Sequence, residues 1–397
     1  MKLSFRPSRR HLLAGAAALA CATAWSGSAL AADPIKIGLV TALSGQSALS
    51  GESITRGMTI AIDEINAKGG LLGRPVQLVR RDDEANPAKG VVAARELIHR
   101  EKVAVLFGGL DTPVSLAIVP LVNQAKVPFM GPWAAGTPIT VNGADPNFVF
   151  RVSAVDEIVN VGMLDYAQKS FGAEKFGMIL VNNPWGESNE KGLHAALQAK
   201  GMKAVGVEKF EANDVDVVPQ LSRLQAAGAD TLFMVGNVGP SAQVVKSLDR
   251  MGWKVPVVSH WGPAGGRFGE LAGPNAGNVH FVQTYSFFGP QSPTGEKVLA
   301  ALKAKYSDIK GPDDINPAVG VANAYDGMML AAKAIEGAGS TDGDAIREAF
   351  YGIRNHEGLI KTYAEPFAPG RHDALSSDDY VWTHFVGNRI LPVDLPQ

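Results

Sequence analysis

Six short polar or aromatic loops hold the residue types from which this chain can build a binding site: Ser44–Gly51, Asp111–Thr112, Trp133–Thr137, Asn182–Gly186, Asn237–Gly239 and His260–Gly262. Main-chain amides and hydroxyls at helix starts can grip a carboxylate, because a helix N-terminus carries partial positive charge. Indoles such as Trp133, Trp185 and Trp261 can wall an apolar ligand body. Signatures of covalent or phosphoryl chemistry are missing: no Gly-x-Ser-x-Gly elbow, no Walker loop and no His-Glu-x-x-His. The eight histidines are dispersed, with no pair at metal-ligand spacing on one helix face. Asp82-Asp83-Glu84 has the look of an acid/base pair, but at the end of a strand it reads as a structural loop. Neither a cofactor nor a metal is expected.

Those loops need strands to end at them and helices to begin after them. Ile35–Val40 is an apolar run of strand length, and Ile54, Met58, Ala61, Ile62 and Ile65 recur at helical spacing. Gly69-Gly70 stops that helix, Gly73-Arg74-Pro75 turns the chain, and Val76–Arg80 is the next strand. This is a β-α-β unit, whose crossover makes its two strands parallel. The pattern repeats through Val103–Phe107, Val114–Gln124 and Val127–Met130, and Phe148–Val152 reads as an extended crossing. It restarts with strands at Lys175–Val181, Ala204–Phe210, Thr231–Val235 and Val255–Ser259, with a helix between each. The fold class expected is α/β: two doubly wound parallel-sheet lobes with ligand loops at the carboxyl ends of their strands. Val279–Tyr285 reads as a return crossing, and the tail Tyr380–Val393 is β-like.

The strings ALSGQSALSG, DEINAKGGLLGRPV and DDEANPAKGVVAARELI resemble the periplasmic branched-chain amino-acid-binding (Leu/Ile/Val-binding) proteins, receptors of hydrophobic amino-acid ABC importers. The resemblance runs in patches over nearly the whole mature chain. It implies a type I periplasmic binding protein whose lobes share a three-segment hinge that closes on a ligand. On that plan 32–152 with 284–357 make one lobe, and 153–283 with 358–397 make the other.

The amino terminus reads as an address. It has a basic start, an apolar run from Leu12 to Trp25 and Ala29-Leu30-Ala31, so residues 1–31 are expected to be an export signal cleaved after Ala31. Ser8-Arg9-Arg10-His11-Leu12-Leu13 resembles a twin-arginine signal as well as an ordinary secretory one. Cys21 is the single cysteine and has Ala18, not a large aliphatic residue, three positions before it, so a soluble periplasmic protein rather than a lipoprotein is expected. The mature chain then holds no thiol, which excludes disulfides and thiolate sites. The signal takes four bases and no acids with it, moving the formal charge from −2 to about −6. An acidic chain without a second long apolar run suits neither nucleic acid nor membrane insertion.

The resemblance also assigns roles. Thr112 matches a serine that binds the ligand carboxylate, and Ala134 matches an alanine whose carbonyl accepts the ligand ammonium. Ala135 replaces a threonine and keeps only its amide. Trp185 replaces a tyrosine, Asn237 falls near another tyrosine position, and Ser50 replaces a bulky aromatic. Trp261 stands where a glutamate usually pairs with the ammonium, and a buried ammonium without a counter-charge is costly. The ligand expected is therefore a small carboxylate with an aromatic or bulky apolar body, held by Thr112 and main-chain amides and walled by Trp185 and Trp261, with Trp133 a further candidate contact. Asp111 offers another ammonium partner, which would restore a branched-chain or other hydrophobic amino acid, or an amide, as ligand. Tyr285 lies on a crossing, facing either ligand or hinge. The protein expected is a monomeric, non-enzymatic receptor working with an inner-membrane ABC permease. A ligand sensor for a separate membrane receptor and an exported enzyme are the alternatives from other classes.

Overall fold

Ile35, Ile37, Leu39 and Val40 are sealed from solvent in β1 (Ile35–Thr41), as the apolar run requires. Helix α1 (Ala48–Ala67) covers the first three with Ile54, Met58, Ala61, Ile62 and Ile65, the face that its spacing marks, while Val40 packs on the opposite face of the sheet. Gly69 and Gly70 end it, both with positive φ. The computed structural model describes residue 1 and residues 33–394, so the expected export signal, Cys21 included, falls outside the described residues.

Next come β2 (Val76–Asp82), α2 (Pro87–Arg95), β3 (Val105–Gly108), α3 (Thr112–Ala125), β4 (Phe129–Gly131), the single turn α4 (Thr137–Thr140) and β5 (Val149–Arg151). The strands form a parallel sheet of order β2-β1-β3-β4-β5. Residues 152–155 then cross to the second lobe. It contains α5 (Asp156–Phe171), β6 (Phe176–Val181), α6 (Pro184–Ala199), β7 (Gly206–Phe210), α7 (Val218–Ala226), β8 (Thr231–Val235), α8 (Val238–Arg250), β9 (Val257–Ser259), α9 (Phe268–Ala272) and β10 (Val279–Gln283). Its parallel part runs β7-β6-β8-β9-β10, the order of the first sheet repeated. The run at Val279, expected as a crossing, is a full member of this sheet, and the crossing begins after Gln283.

The chain returns through α10 (Pro293–Lys305) and α11 (Ala318–Ala338), which pack on α1, followed by α12 (Gly343–Tyr351). The return to the second lobe was expected at about 358 and comes later. Buried Asp326 on α11 accepts hydrogen bonds from the amides of Leu359 (2.5 Å) and Ile360 (2.9 Å) and from the Tyr363 hydroxyl (2.7 Å). These bonds tie the short hairpin β11 (His356–Glu357) and β12 (Thr362–Tyr363) to the first lobe. Phe150 of β5 stacks on His372 at 4.6 Å and meets Phe367 edge-on, and Ala374 N donates to Arg151 O, so residues 358–374 flank the first sheet. Only then does the chain cross to β13 (Val381–Val386) and β14 (Arg389–Pro392), which extend the second sheet with antiparallel pairings. Among the described residues no helix is long and apolar enough to cross a membrane.

Candidate ligand-binding site between the lobes

The carboxyl ends of the two sheets face each other, and the lobes touch there. Trp133 of the first lobe lies against Trp261 of the second, ring centroids 5.4 Å apart, and neither is more than 5% exposed. The Ser50 hydroxyl donates to Gly265 O (2.7 Å), and Thr137 N donates to Ser188 Oγ (3.3 Å). Asp111 and Asn237 precede α3 and α8, where such residues usually cap their own helix. Neither does so. Instead Asn237 Nδ2 donates to Asp111 Oδ1 across the cleft (2.8 Å), while burial pushes the Asp111 carboxyl up and the Asn237 bond opposes that. Replacing Asn237 by alanine is expected to weaken ligand binding roughly 3- to 10-fold, the size of one ordinary hydrogen bond. It should also enlarge the unliganded protein in small-angle scattering; no change in either quantity contradicts a latch.

The loop after β4 has a marked polarity. Every carbonyl from Gly131 to Gly136 is engaged: by Val152 N, Asn323 Nδ2 (3.0 Å), Ser153 Oγ (2.6 Å), Arg151 Nη1 (3.2 Å), Asp156 N (2.9 Å) and again Arg151 Nη1 (2.9 Å). The amides of Trp133, Ala134 and Ala135 donate to nothing among the described residues, and neither do those of Leu110, Asp111 and Thr112 at the start of α3. The two loops adjoin, because Gly136 N donates to Thr112 Oγ1 (3.2 Å), leaving the Thr112 hydroxyl proton for another acceptor. Unpaired main-chain donors beside satisfied carbonyls suit an anion. The Ala134 carbonyl, expected to receive an ammonium, faces a guanidinium instead.

The second lobe offers rings rather than donors. Asn183 Oδ1 accepts from the amides of both Trp185 and Gly186, so α6 spends its first donors on its own cap. Trp185 and Trp261 each meet His260, at 5.2 and 5.6 Å between centroids. His260 Nδ1 accepts from Trp261 N (2.8 Å), which places the ring proton on Nε2. That nitrogen lies 3.0 Å from Asp156 Oδ1, off the line of a straight hydrogen bond, and the same oxygen accepts from Trp185 Nε1 (3.1 Å). Asp156 and His260 are both fully buried, and Asp156 Oδ2 has no donor among the described residues. Asp156 was not anticipated from sequence, where it is one acid at the start of a helix.

The other expected residues divide. Ser50, Asp111, Thr112, Trp133, Ala134, Ala135, Trp185, Asn237 and Trp261 all converge on this region. Tyr285 belongs to the second crossing: its hydroxyl donates to Gln291 (2.5 Å), its ring meets Phe287 edge-on, and burial pushes its pKa up. The acidic string is structural on its best-defined member. Although burial opposes it, hydrogen bonds from Ser44 and from the amides of Leu43 and Glu84 hold Asp82 below the usual carboxylate range.

Asp83 is 1% exposed, with Ala85 N on Oδ1 (2.8 Å) and, among the described residues, no donor on Oδ2. Burial, with Asp111 and Asp82 nearby, pushes it up to about 7 against the Ala85 bond. A folded-state pKa above the unfolded value near 3.9 makes the native state hold the proton longer, so stability falls as pH rises from about 4 to about 7. Asp83→Asn keeps an acceptor for Ala85. It should therefore stabilise the protein at pH 8, by on the order of 4 kcal/mol at most, with the gain vanishing towards pH 4. Chemical denaturation at both pH values checks this; an equal or larger gain at pH 4 contradicts it.

A model of the family described as "Periplasmic binding protein" matches residues 34–373. Proteins of this family bind small-molecule ligands, work with ABC permeases and are substrate-binding proteins rather than enzymes. The "Leu/Ile/Val-binding protein homolog 3" of Brucella melitensis is 26% identical over 351 residues, covering 88% of this chain and 91% of that protein. The type 1 periplasmic binding protein from Bordetella pertussis Tohama I superposes with a TM-score of 0.83 at 25% identity, over 91% of this chain and all of that one (100%). An R. palustris ABC transporter solute-binding protein in complex with 4-hydroxybenzoate gives a TM-score of 0.77 at 23% identity, over 91% of this chain and 96% of that one, which shows the shared fold. The repeated sheet order, the loops facing across a cleft and these matches agree: the chain belongs to the periplasmic binding protein family, and its relatives include type I periplasmic binding proteins and Leu/Ile/Val-binding protein homologues.

Proposed function

We propose that the protein is an exported, periplasmic and monomeric receptor that closes on a small aromatic carboxylate and delivers it to an ABC permease. The observation that carries this reading is the polarity of the loop after β4, with its carbonyls engaged and its amides at Trp133, Ala134 and Ala135 unpaired. Those amides, with the Thr112 hydroxyl, would take the carboxylate, and Trp133, Trp185 and Trp261 would flank the ring. Preferential binding to the closed state would shift the lobes together. The 4-hydroxybenzoate held by the R. palustris neighbour fits this chemistry. No nucleophile-base pair supports turnover. The basic, apolar amino terminus supports export, by the twin-arginine or the ordinary secretory route.

A branched-chain amino acid is the second reading. Two observations favour it: the name of the Brucella relative, and the buried Asp156 Oδ2, an acceptor that an ammonium would satisfy. Thermal-shift measurements with 4-hydroxybenzoate, benzoate, leucine and isoleucine separate the two. A ligand at about 100 times its Kd stabilises the native state by ~2.7 kcal/mol. The aryl acids are expected to raise the melting temperature by several degrees and the amino acids to leave it unchanged. The opposite pattern overturns the aryl-acid reading.

A further inference from the structure

Arg151 ends β5 and is fully buried, yet its donors are spent on one small region behind the β4 loop. Nη1 donates to the carbonyls of Ala134 (3.2 Å) and Gly136 (2.9 Å), Nη2 to Thr140 Oγ1 (2.9 Å) and Nε to Asp373 Oδ1 (2.5 Å). Thr140 Oγ1 in turn donates to Asp373 Oδ2 (2.9 Å), so the acid is held from both sides. A buried ion pair contributes little net stability compared with apolar packing, because removing two charges from water is costly. What the rigid, planar guanidinium does here is geometric. One nitrogen holds two carbonyls two residues apart, and a point-like ammonium cannot copy the rest of the fork.

We propose that Arg151 is a positioning residue that sets the charge of the accepted ligand. By holding the Ala134 carbonyl at the back of the loop, it turns the Ala135 amide, on the opposite edge of the same planar peptide, toward the ligand, as Asn323 Nδ2 on the Pro132 carbonyl and Ser153 Oγ on the Trp133 carbonyl do for the amides of Trp133 and Ala134, while its bond to Gly136 fixes the exit of the loop. The site then takes a carboxylate in preference to a neutral carboxamide of the same shape, whose NH2 group would meet donors only. Asp373 balances the guanidinium charge, so orientation is the larger effect and net positive potential the smaller. This inference rests on the carboxylate reading given above and names the residue behind it.

The test is calorimetric affinity for 4-hydroxybenzoate and 4-hydroxybenzamide at pH 8, in the wild-type protein and in R151K and D373N, with melting temperatures recorded in parallel. Wild type should favour the acid at least ~100-fold, a difference typical of a site that leaves a polar group unpaired with the wrong ligand. In R151K the ratio should fall to within about 10-fold, because the fork is lost. In D373N the guanidinium remains without its counter-charge, and the ratio should rise by roughly 2- to 10-fold as the local potential becomes more positive. Should R151K not fold, D373N decides alone, and a ratio that fails to rise overturns the inference. Ratios unchanged in both variants, with only the melting temperatures lowered, also overturn it. Wild-type protein that binds neither compound, or both equally, refutes the carboxylate reading itself, before Arg151 enters.

Discussion

Gly136→Ala is expected to lower affinity for an aryl carboxylate by about two orders of magnitude, ~2.7 kcal/mol, while leaving most of the fold's stability intact. Gly136 has φ −48° and ψ 122°, a conformation open to alanine, so the effect is steric and not one of backbone freedom. A methyl group there would lie 2.5 Å from Thr112 Cγ2 and 3.2 Å from Thr112 Oγ1. Thr112 is branched at Cβ and has few rotamers to retreat into. Either the loop after β4 withdraws, breaking the Gly136 N to Thr112 Oγ1 bond, or Thr112 rotates its hydroxyl away from the ligand. Both outcomes separate the two loops whose amides are proposed to share one anion. Calorimetry on the variant, with circular dichroism to verify folding, measures this; affinity within threefold of wild type contradicts a carboxylate site at that junction.

Trp261→Ala should cost ligand affinity roughly 30- to 1000-fold, about 2–4 kcal/mol, as the loss of a fully desolvated aromatic anchor does elsewhere. Only 1% of Trp261 is exposed, its ring spans the cleft to Trp133, and it also meets His260. Its amide bond to His260 Nδ1 survives the substitution, so the loop keeps its local geometry while losing the wall. A stability loss of about 3–5 kcal/mol is expected as well, since the indole is core to the closed form. Trp261→Phe separates the two effects by retaining an apolar ring, and should recover most of the affinity. Binding by Trp261→Ala that matches wild type removes the aromatic wall from the account.

Much of this was legible in the sequence, for a specific reason. Sealed strands such as Phe176–Val181, with all six residues buried, read as continuous apolar runs, and α1 shows its face through spacing alone. Once strands alternate with helices, the loops at strand ends become the candidate site by topology, which is how Thr112, Trp133, Trp185 and Trp261 are nominated. Run length failed at β10, because a central strand and an apolar crossing have the same composition. The resemblance, not run length, placed the last crossing at about 358, but residues 358–374 adhere to the first lobe through Asp326, Phe150 and Arg151, pairings that no local pattern encodes. Arg151 and Asp156 were missed for a related reason. Each is a single charge at the end of an element, and its meaning appears only when the loop carbonyls or the indole that it holds are seen. Asp111 and Asn237 are both nominated by their loops, but their pairing joins positions 126 apart on different lobes, which no local pattern encodes.

The most direct test of the central claim, that an organic anion is gripped by main-chain donors of the first lobe, is a crystal structure of the protein with 4-hydroxybenzoate bound. The account predicts closed lobes, carboxylate oxygens within hydrogen-bond distance of the amides of Trp133–Ala135 and of Thr112 Oγ1, and the ring beside Trp261. A structure with the carboxylate elsewhere, or one in which only an amino acid is trapped with its ammonium on Asp156 or Asp111, would contradict it.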